Sequence, residues 1–204
     1  MNGQNMKQSK ISVLIPTLNT KKLLIQCIKH LKKLAKYKQG IRLDAGCGLE
    51  KQEGFFGIDL LPPPQSKADL VWDLEDIPYP LPDNIAEIIL ASHIVEHINP
   101  HKGKFIDVMN EWWRIMKPDG KLMIATPYAG SFGYFQDPTH CNPCNEATWN
   151  YFDPETNPQT DPDRLWGFYK PKPWKIVQNV WKSYGNIEIL LEKREDKKEY
   201  YDNS

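Results

Sequence analysis

The sequence predicts an α/β fold: a mostly parallel sheet with helices on both faces and a final antiparallel strand. Three observations carry it. Short β-branched runs alternate with amphipathic helix patterns. Glycines and acidic residues stand at the carboxyl ends of successive runs, where open sheets of this kind bind ligands. Two more strand-like runs, "WKIVQNV" and "IEILLEKRE", close the chain around Gly185.

The elements follow in order. "KISVLIP" is β-branched and closed by Pro16, so it reads as a strand. Residues 21–38 place Leu23, Leu24, Cys27, Ile28, Leu31 and Leu34 on one helical face, with Gly40 as the stop. "IRLDAGCG", "GFFGIDL", "ADLVWDLE" and "AEIILASH" read as four successive strands. The proline-rich "IPYPLPDN" between the last two is irregular. Residues 102–120 form a helix with Phe105, Val108, Met109, Trp112 and Met116 on one side, stopped by Pro118-Asp119-Gly120. "KLMIATP" is the fifth strand of the series. Tyr128 to Pro173 is mostly loop, with a short helix at "NEATWNYF". Its aromatic side chains serve either as a lid or pocket lining, or as packing for the loop. The organisation expected is a strand-helix extension at 1–40, a domain at 41–195 and a frayed tail at 196–204.

Totals narrow the functional classes. A chain of 204 residues suits one domain. Lys plus Arg and Asp plus Glu are 26 each. Zero formal charge argues against nucleic acid and anionic membranes as general partners. No apolar run reaches membrane-spanning length. The polar start "MNGQNMKQSK" is not followed by the apolar core of a signal peptide. Four cysteines, irregularly spaced, are expected to be reduced, and the protein cytoplasmic.

The chemistry gathers at strand ends. In "LDAGCG" an acid precedes two glycines spaced by one, which permits a tight turn and close approach of a ligand to the backbone. Asp59 ends the next strand, placed to accept hydrogen bonds from two ribose hydroxyls. "WDLED" adds an acidic turn after the third strand. Together they point to a bound nucleoside.

These stretches, with "GIDL", "DLEDIPYPLPDN", "ASHIVEHI", "EWWRIMKPDGKLMIATP" and "QDPTH", make residues 41–151 resemble a Rossmann-like class I S-adenosylmethionine-dependent methyltransferase. The nearest likeness is to a small subgroup with a shortened first helix and a DPTH segment. The resemblance implies S-adenosyl-L-methionine as cofactor. It implies a cofactor loop of Asp44, Gly46 and Gly48, with Asp59 on the ribose and Asp73 and Leu74 flanking the adenine. Ser92 and His93 would close over the methionine end. Fuller relatives carry a third glycine and a long helix here. "GCGLEKQEGFFGID" instead reaches Asp59 almost at once, leaving too few residues for a crossover helix. The helix at 21–38 is a candidate to cover that face. Residues 11–31 separately resemble the opening of a family 2 glycosyltransferase. The Asp-x-Asp expected with that activity is absent, so the activity is rejected.

Methyl transfer to a hydroxyl needs alignment and removal of one proton, which suits a histidine. His140 in "FQDPTHCNPC" is the candidate base, with Asp137 to orient it; a purely structural turn is the competing reading. The acceptor expected is a small molecule or a glycan. Amino-methylating DNA enzymes carry Asn/Asp-Pro-Pro-Tyr/Phe after the fourth strand, where "ASHI" stands here. An inactive methyltransferase-like scaffold is the alternative function.

No metal is expected. His93, Glu96 and His97 match H-x-x-E-H, a zinc-hydrolase pattern that needs both histidines on one helical face. His93 falls at the end of a strand, where residues four apart need not share a face. Cys141 and Cys144 supply half of a zinc site with no second pair nearby. The oligomeric state is not legible in the sequence.

Overall fold

The computed structural model describes residues 40–202 except 158, 160 and 162. The expected strand at 10–16 and helix at 21–38, and the glycosyltransferase-like stretch, lie outside the described residues. A seven-stranded sheet organises the rest. Its strands are β1 (Ile41–Ala45), β2 (Phe56–Asp59), β3 (Leu70–Val71), β4 (Ala86–Ser92), β5 (Met116–Pro127), β6 (Trp174–Trp181) and β7 (Asn186–Lys193). The spatial order is β3-β2-β1-β4-β5-β7-β6. β1 to β5 pair in parallel, and β7 runs antiparallel to both β5 and β6. This is the Rossmann-like class predicted, with the antiparallel final strand in place.

The middle strands are the core because both of their faces are apolar. Ile41, Leu43, Ala45, Ile58, Ile89 and Ala91 are fully buried. Helix α1 (Lys104–Ile115) crosses from β4 to β5 and seats Phe105, Val108, Met109, Trp112 and Ile115, a single helical stripe. The helix ends sooner than expected. Met116 already begins β5, and Pro118-Asp119-Gly120 forms a bulge inside that strand: Ala86 pairs with Met116, but Ile88 pairs with Lys121. Asp119 takes the left-handed conformation (φ 61°), which an acid tolerates in a turn.

The other parallel connections are loops, with no helix in 46–55, 60–69 or 72–85. The compressed spacing between β1 and Asp59 predicts the first of these. Backbone bonds do the work of the missing helix: Gly46 and Cys47 N–H both donate to Ile58 O, and Lys67 N–H to Gly48 O at 2.7 Å. Three short helices follow β5: α2 (Phe132–Phe135), α3 (Glu146–Asn150) and α4 (Trp166–Tyr169). Asn145 caps α3, its side chain accepting from Ala147 and Thr148 N–H. The tail, expected to fray, forms one helical turn, α5 (Glu199–Asp202), whose Tyr200 and Tyr201 rings lie 6.1 and 5.5 Å from Trp166.

The proline-rich loop before β4 is held by one buried acid. Glu111 on α1 accepts from Tyr79 N–H at 2.6 Å and from two Arg114 nitrogens at 2.6 and 2.8 Å. Arg114 also donates to Leu81 O and Asp83. Glu111 is 6% exposed, so removing its carboxylate strands the buried Tyr79 amide and takes two bonds from a guanidinium that keeps Asp83 and Leu81 O. Glu111→Ala is expected to cost about 3 kcal/mol of stability in urea unfolding. A loss below ~1 kcal/mol would show that water replaces the carboxylate.

Candidate functional site

The carboxyl ends of β1, β2 and β3 open onto a cleft of about 310 Å³, near the lower limit of small-ligand sites. Gly46, Asp59, Asp73 and Leu74 line it, joined by Leu60, Glu75, Ile94, His97 and Ile98. Four of the eight residues expected at the cofactor therefore share one wall system. Asp44 sits beneath the loop, 5% exposed, accepting from Gln52 N–H at 2.8 Å; burial pushes its carboxyl above the ordinary range. Gly48 contributes its N–H to Asp59 Oδ2 at 2.8 Å, while Leu61 N–H binds Asp59 Oδ1 at 2.8 Å. Each carboxylate oxygen keeps a second lone pair for a ligand hydroxyl. Asp73 turns its own loop by accepting from Glu75 N–H.

Ser92 and His93 are exposed at the end of β4 and do not line the cleft. His93 is left-handed (φ 53°), which breaks the strand and turns the chain. Its Nδ1 lies 3.3 Å from Glu96 Oε1, which raises the imidazole pKa, and its Nε2 lies 3.2 Å from Asn186. Residues Val95–His97 form one 3-10 turn rather than the helix a zinc hydrolase requires. His101 belongs to a separate, kinked turn.

The DPTH segment folds back onto that 3-10 turn. Cys141 and Asn142 N–H both donate to Glu96 O, at 2.9 and 3.0 Å, and Asn142 Nδ2 donates to Val95 O. The Glu96 side chain is 1% exposed and accepts from Thr126 Oγ1 on β5. His140 is thereby brought against His97, with ring centroids 4.7 Å apart, edge to face.

Hydrogen-bond chemistry fixes how these rings present themselves. His140 Nδ1 meets Tyr134 O at 2.8 Å. A carbonyl only accepts, so Nδ1 carries the proton and Nε2 of the neutral ring carries the lone pair. Thr139 donates its hydroxyl to Asp137 Oδ1 at 2.7 Å, so its oxygen accepts from His97 Nδ1 at 3.1 Å. His97 is held in the same tautomer. Asp137 itself stands 3.9 Å from His140 Nε2, too far for a hydrogen bond. Its carboxyl is held below the ordinary range by Thr139. The orienting partner expected of Asp137 is thus Tyr134 O, and Asp137 serves His97 through Thr139.

The aromatic segment divides between two roles. Trp149, Phe152, Trp166 and Trp174 are buried packing, whereas Phe132, Phe135, Phe168 and Tyr169 are exposed. Trp112 is core; Trp113 donates to Pro173 O and lies under Lys193 at 3.9 Å. Cys47, Cys141 and Cys144 are free thiols, with Cys144 pushed up to about 12 by burial.

Sheet order and glycine turn are those of the Rossmann-like methyltransferase fold. Residues 43–124 match the family model described as a methyltransferase domain. No curated protein matches the sequence. Among solved structures, a SAM-dependent methyltransferase from Archaeoglobus fulgidus is 19% identical, with 84% of this chain and 94% of that chain covered and a TM-score of 0.50. The Trm112 methyltransferase activator complex from Haloferax volcanii gives 12%, 87%, 94% and 0.50 on the same measures. A 16S rRNA methyltransferase from Catenulisporales acidiphilia, crystallised with S-adenosylmethionine, gives 14%, 81%, 92% and 0.47. The family-model match does not favour the inactive-scaffold alternative. Among the described residues, no helix is long and apolar enough to cross a membrane.

Gly46 shows how closely the turn is built. A Cβ there would stand 2.6 Å from the Ile94 side chain, and φ is +71°. Gly46→Ala is expected to cost at least about 1–2 kcal/mol from the left-handed backbone alone, seen as a thermal midpoint lower by several degrees. An unchanged midpoint would mean that the turn relaxes without cost.

Proposed function

We propose that this protein moves the methyl group of S-adenosylmethionine onto a hydroxyl of a small molecule or glycan, in the cytoplasm. The observation that carries the reading is the pair of imidazoles, His97 at the cleft and His140 against it, with their Nε2 lone pairs left free by Thr139 and Tyr134. Free thiols on the described cysteines agree with a reducing compartment. The methyltransferase unit is taken as 41–195, of the DPTH subgroup, with 1–40 as an extension.

The roles follow from position. Asp59 accepts from the ribose hydroxyls, and Asp73 and Leu74 flank the adenine. Gly46 lets the cofactor approach the backbone, while Asp44 and Gly48 shape that loop from beneath. Ser92 and His93 form the turn that delivers Glu96 and His97 to the methionine end. S-adenosylmethionine supplies an activated methyl on a sulfonium. Bound in the cleft, it would give up the methyl to the acceptor oxygen and keep the bonding pair on sulfur, while His140 Nε2 would take the proton of the acceptor hydroxyl. Asp137 positions His97 through Thr139. Nucleic acid is set aside on overall charge and, for amino-methylating DNA enzymes, on the missing Asn/Asp-Pro-Pro-Tyr/Phe motif, so RNA belongs in the acceptor panel.

Two substitutions separate the roles. Asp59→Ala is expected to weaken S-adenosylmethionine binding by about 10-fold or more, the scale of a lost charged hydrogen bond, in isothermal titration calorimetry. His140→Ala is expected to lower turnover about 100-fold or more with cofactor affinity kept within a few-fold. Acceptors are found by transfer of labelled methyl to a panel of sugars, small alcohols and RNA. Methylated RNA with no labelled alcohol would replace the acceptor class. Loss of cofactor binding in His140→Ala would remove its assignment as base.

A further inference from the structure

We infer that Glu96, His97 and His140 form a binding site for a divalent transition metal, zinc above all. A Glu96 carboxylate oxygen, one nitrogen of His97 and one nitrogen of His140 all lie within 4.8 Å of one another. The motif match His93-x-x-Glu96-His97 names two of these residues but the wrong third. The chain supplies His140 from the DPTH segment, and His93 is outside the group.

Two independent features suit an ion. Both imidazoles have their Nδ1 atoms committed, to Tyr134 O at 2.8 Å and Thr139 Oγ1 at 3.1 Å. That is the outer-shell arrangement that orients a metal-ligating histidine and fixes its free nitrogen. Asp137 reinforces it through Thr139. Glu96 is 1% exposed, and its Oε1 is buried without a hydrogen-bond partner while Oε2 holds Thr126. Oε1 has His93 Nδ1 at 3.3 Å, from a ring whose side chain is 52% exposed. A buried carboxylate oxygen in that state costs free energy that a dication recovers.

The donor set decides the metal class. Two imidazoles and one carboxylate suit zinc and its neighbours rather than calcium or magnesium, which take oxygen ligands. Three protein ligands leave a fourth tetrahedral position for water or a substrate oxygen. Zinc ligands stand about 3.4 Å apart at tetrahedral geometry, so the rings and carboxylate close by roughly an ångström on binding. His97 also lines the cofactor cleft, which puts the ion beside the reacting groups. This inference does not require the methyl-acceptor reading, but it shares His140 with it. An ion on Nε2 takes the lone pair a base needs, so zinc slows methyl transfer and a chelator restores it.

The test is calorimetric titration of zinc chloride into chelator-treated full-length protein at neutral pH. One equivalent is expected to bind with micromolar or tighter affinity. His97→Ala and His140→Ala are each expected to weaken it at least 10-fold, and Thr139→Val about 10–100-fold, as an outer-shell partner does. Thr139→Val keeps every ligand, so its effect persists as evidence even if a ligand variant folds poorly, with circular dichroism as the check. No uptake of zinc would overturn the site and leave the methyltransferase reading untouched. Zinc that survives His97→Ala but is lost in Cys141→Ser would place the ion on the thiol and also overturn it. Metal-free protein that binds S-adenosylmethionine yet methylates nothing would fail the base assignment without bearing on zinc.

Discussion

One carbonyl oxygen organises the functional half of this molecule. Glu96 O receives the N–H groups of both Cys141 and Asn142, while its side chain receives Thr126. That single residue joins the turn after β4, the strand β5 and the segment that returns from the loops. Its backbone carbonyl and its carboxylate oxygen are both deeply enclosed, so losing these donors leaves polar groups without water. The meeting of His97 and His140 rests on that junction together with the bond between Thr139 Oγ1 and His97 Nδ1.

The cofactor side rests on a different economy. A typical crossover helix would shield the sheet and present its N-terminus to an anionic ligand. Here residues 46–55 make the connection without one. The glycine turn is fixed by paired bonds to Ile58 O, and Asp59 is fixed by Gly48 and Leu61 N–H. The carboxylate is therefore oriented before any ligand arrives, which lowers the ordering cost of binding. Precise placement of a nucleophile beside an activated methyl is the main source of rate in such a reaction. The cleft supplies rigidity through short backbone bonds rather than through helix packing.

Much of this was legible in the sequence, and the remainder failed for identifiable physical reasons. Strand identities followed from β-branched runs and their closing glycines or acids, because those signals are local. The absent first helix followed from counting residues to Asp59. Helix α1 was visible in the spacing of Phe105, Val108, Met109 and Trp112, but its end was misplaced because Met116 continues the apolar pattern into a strand. The H-x-x-E-H match was correctly set aside as a helical motif. Its relation to His140 was invisible, since the two stretches meet through a long-range pairing to Glu96 O that no local pattern encodes. The same holds for Asp137, whose influence passes to His97 through a hydroxyl rather than to its sequence neighbour His140.

The cleft at the ends of β1, β2 and β3 is expected to receive the cofactor with its reactive end toward the histidine pair. A crystal structure with bound S-adenosylhomocysteine tests this directly. Ribose hydroxyls are expected on Asp59, the adenine between Asp73, Leu74 and their neighbours, and the sulfur facing His97 and His140. A ligand bound elsewhere, or one whose sulfur faces away from both imidazoles, would contradict it.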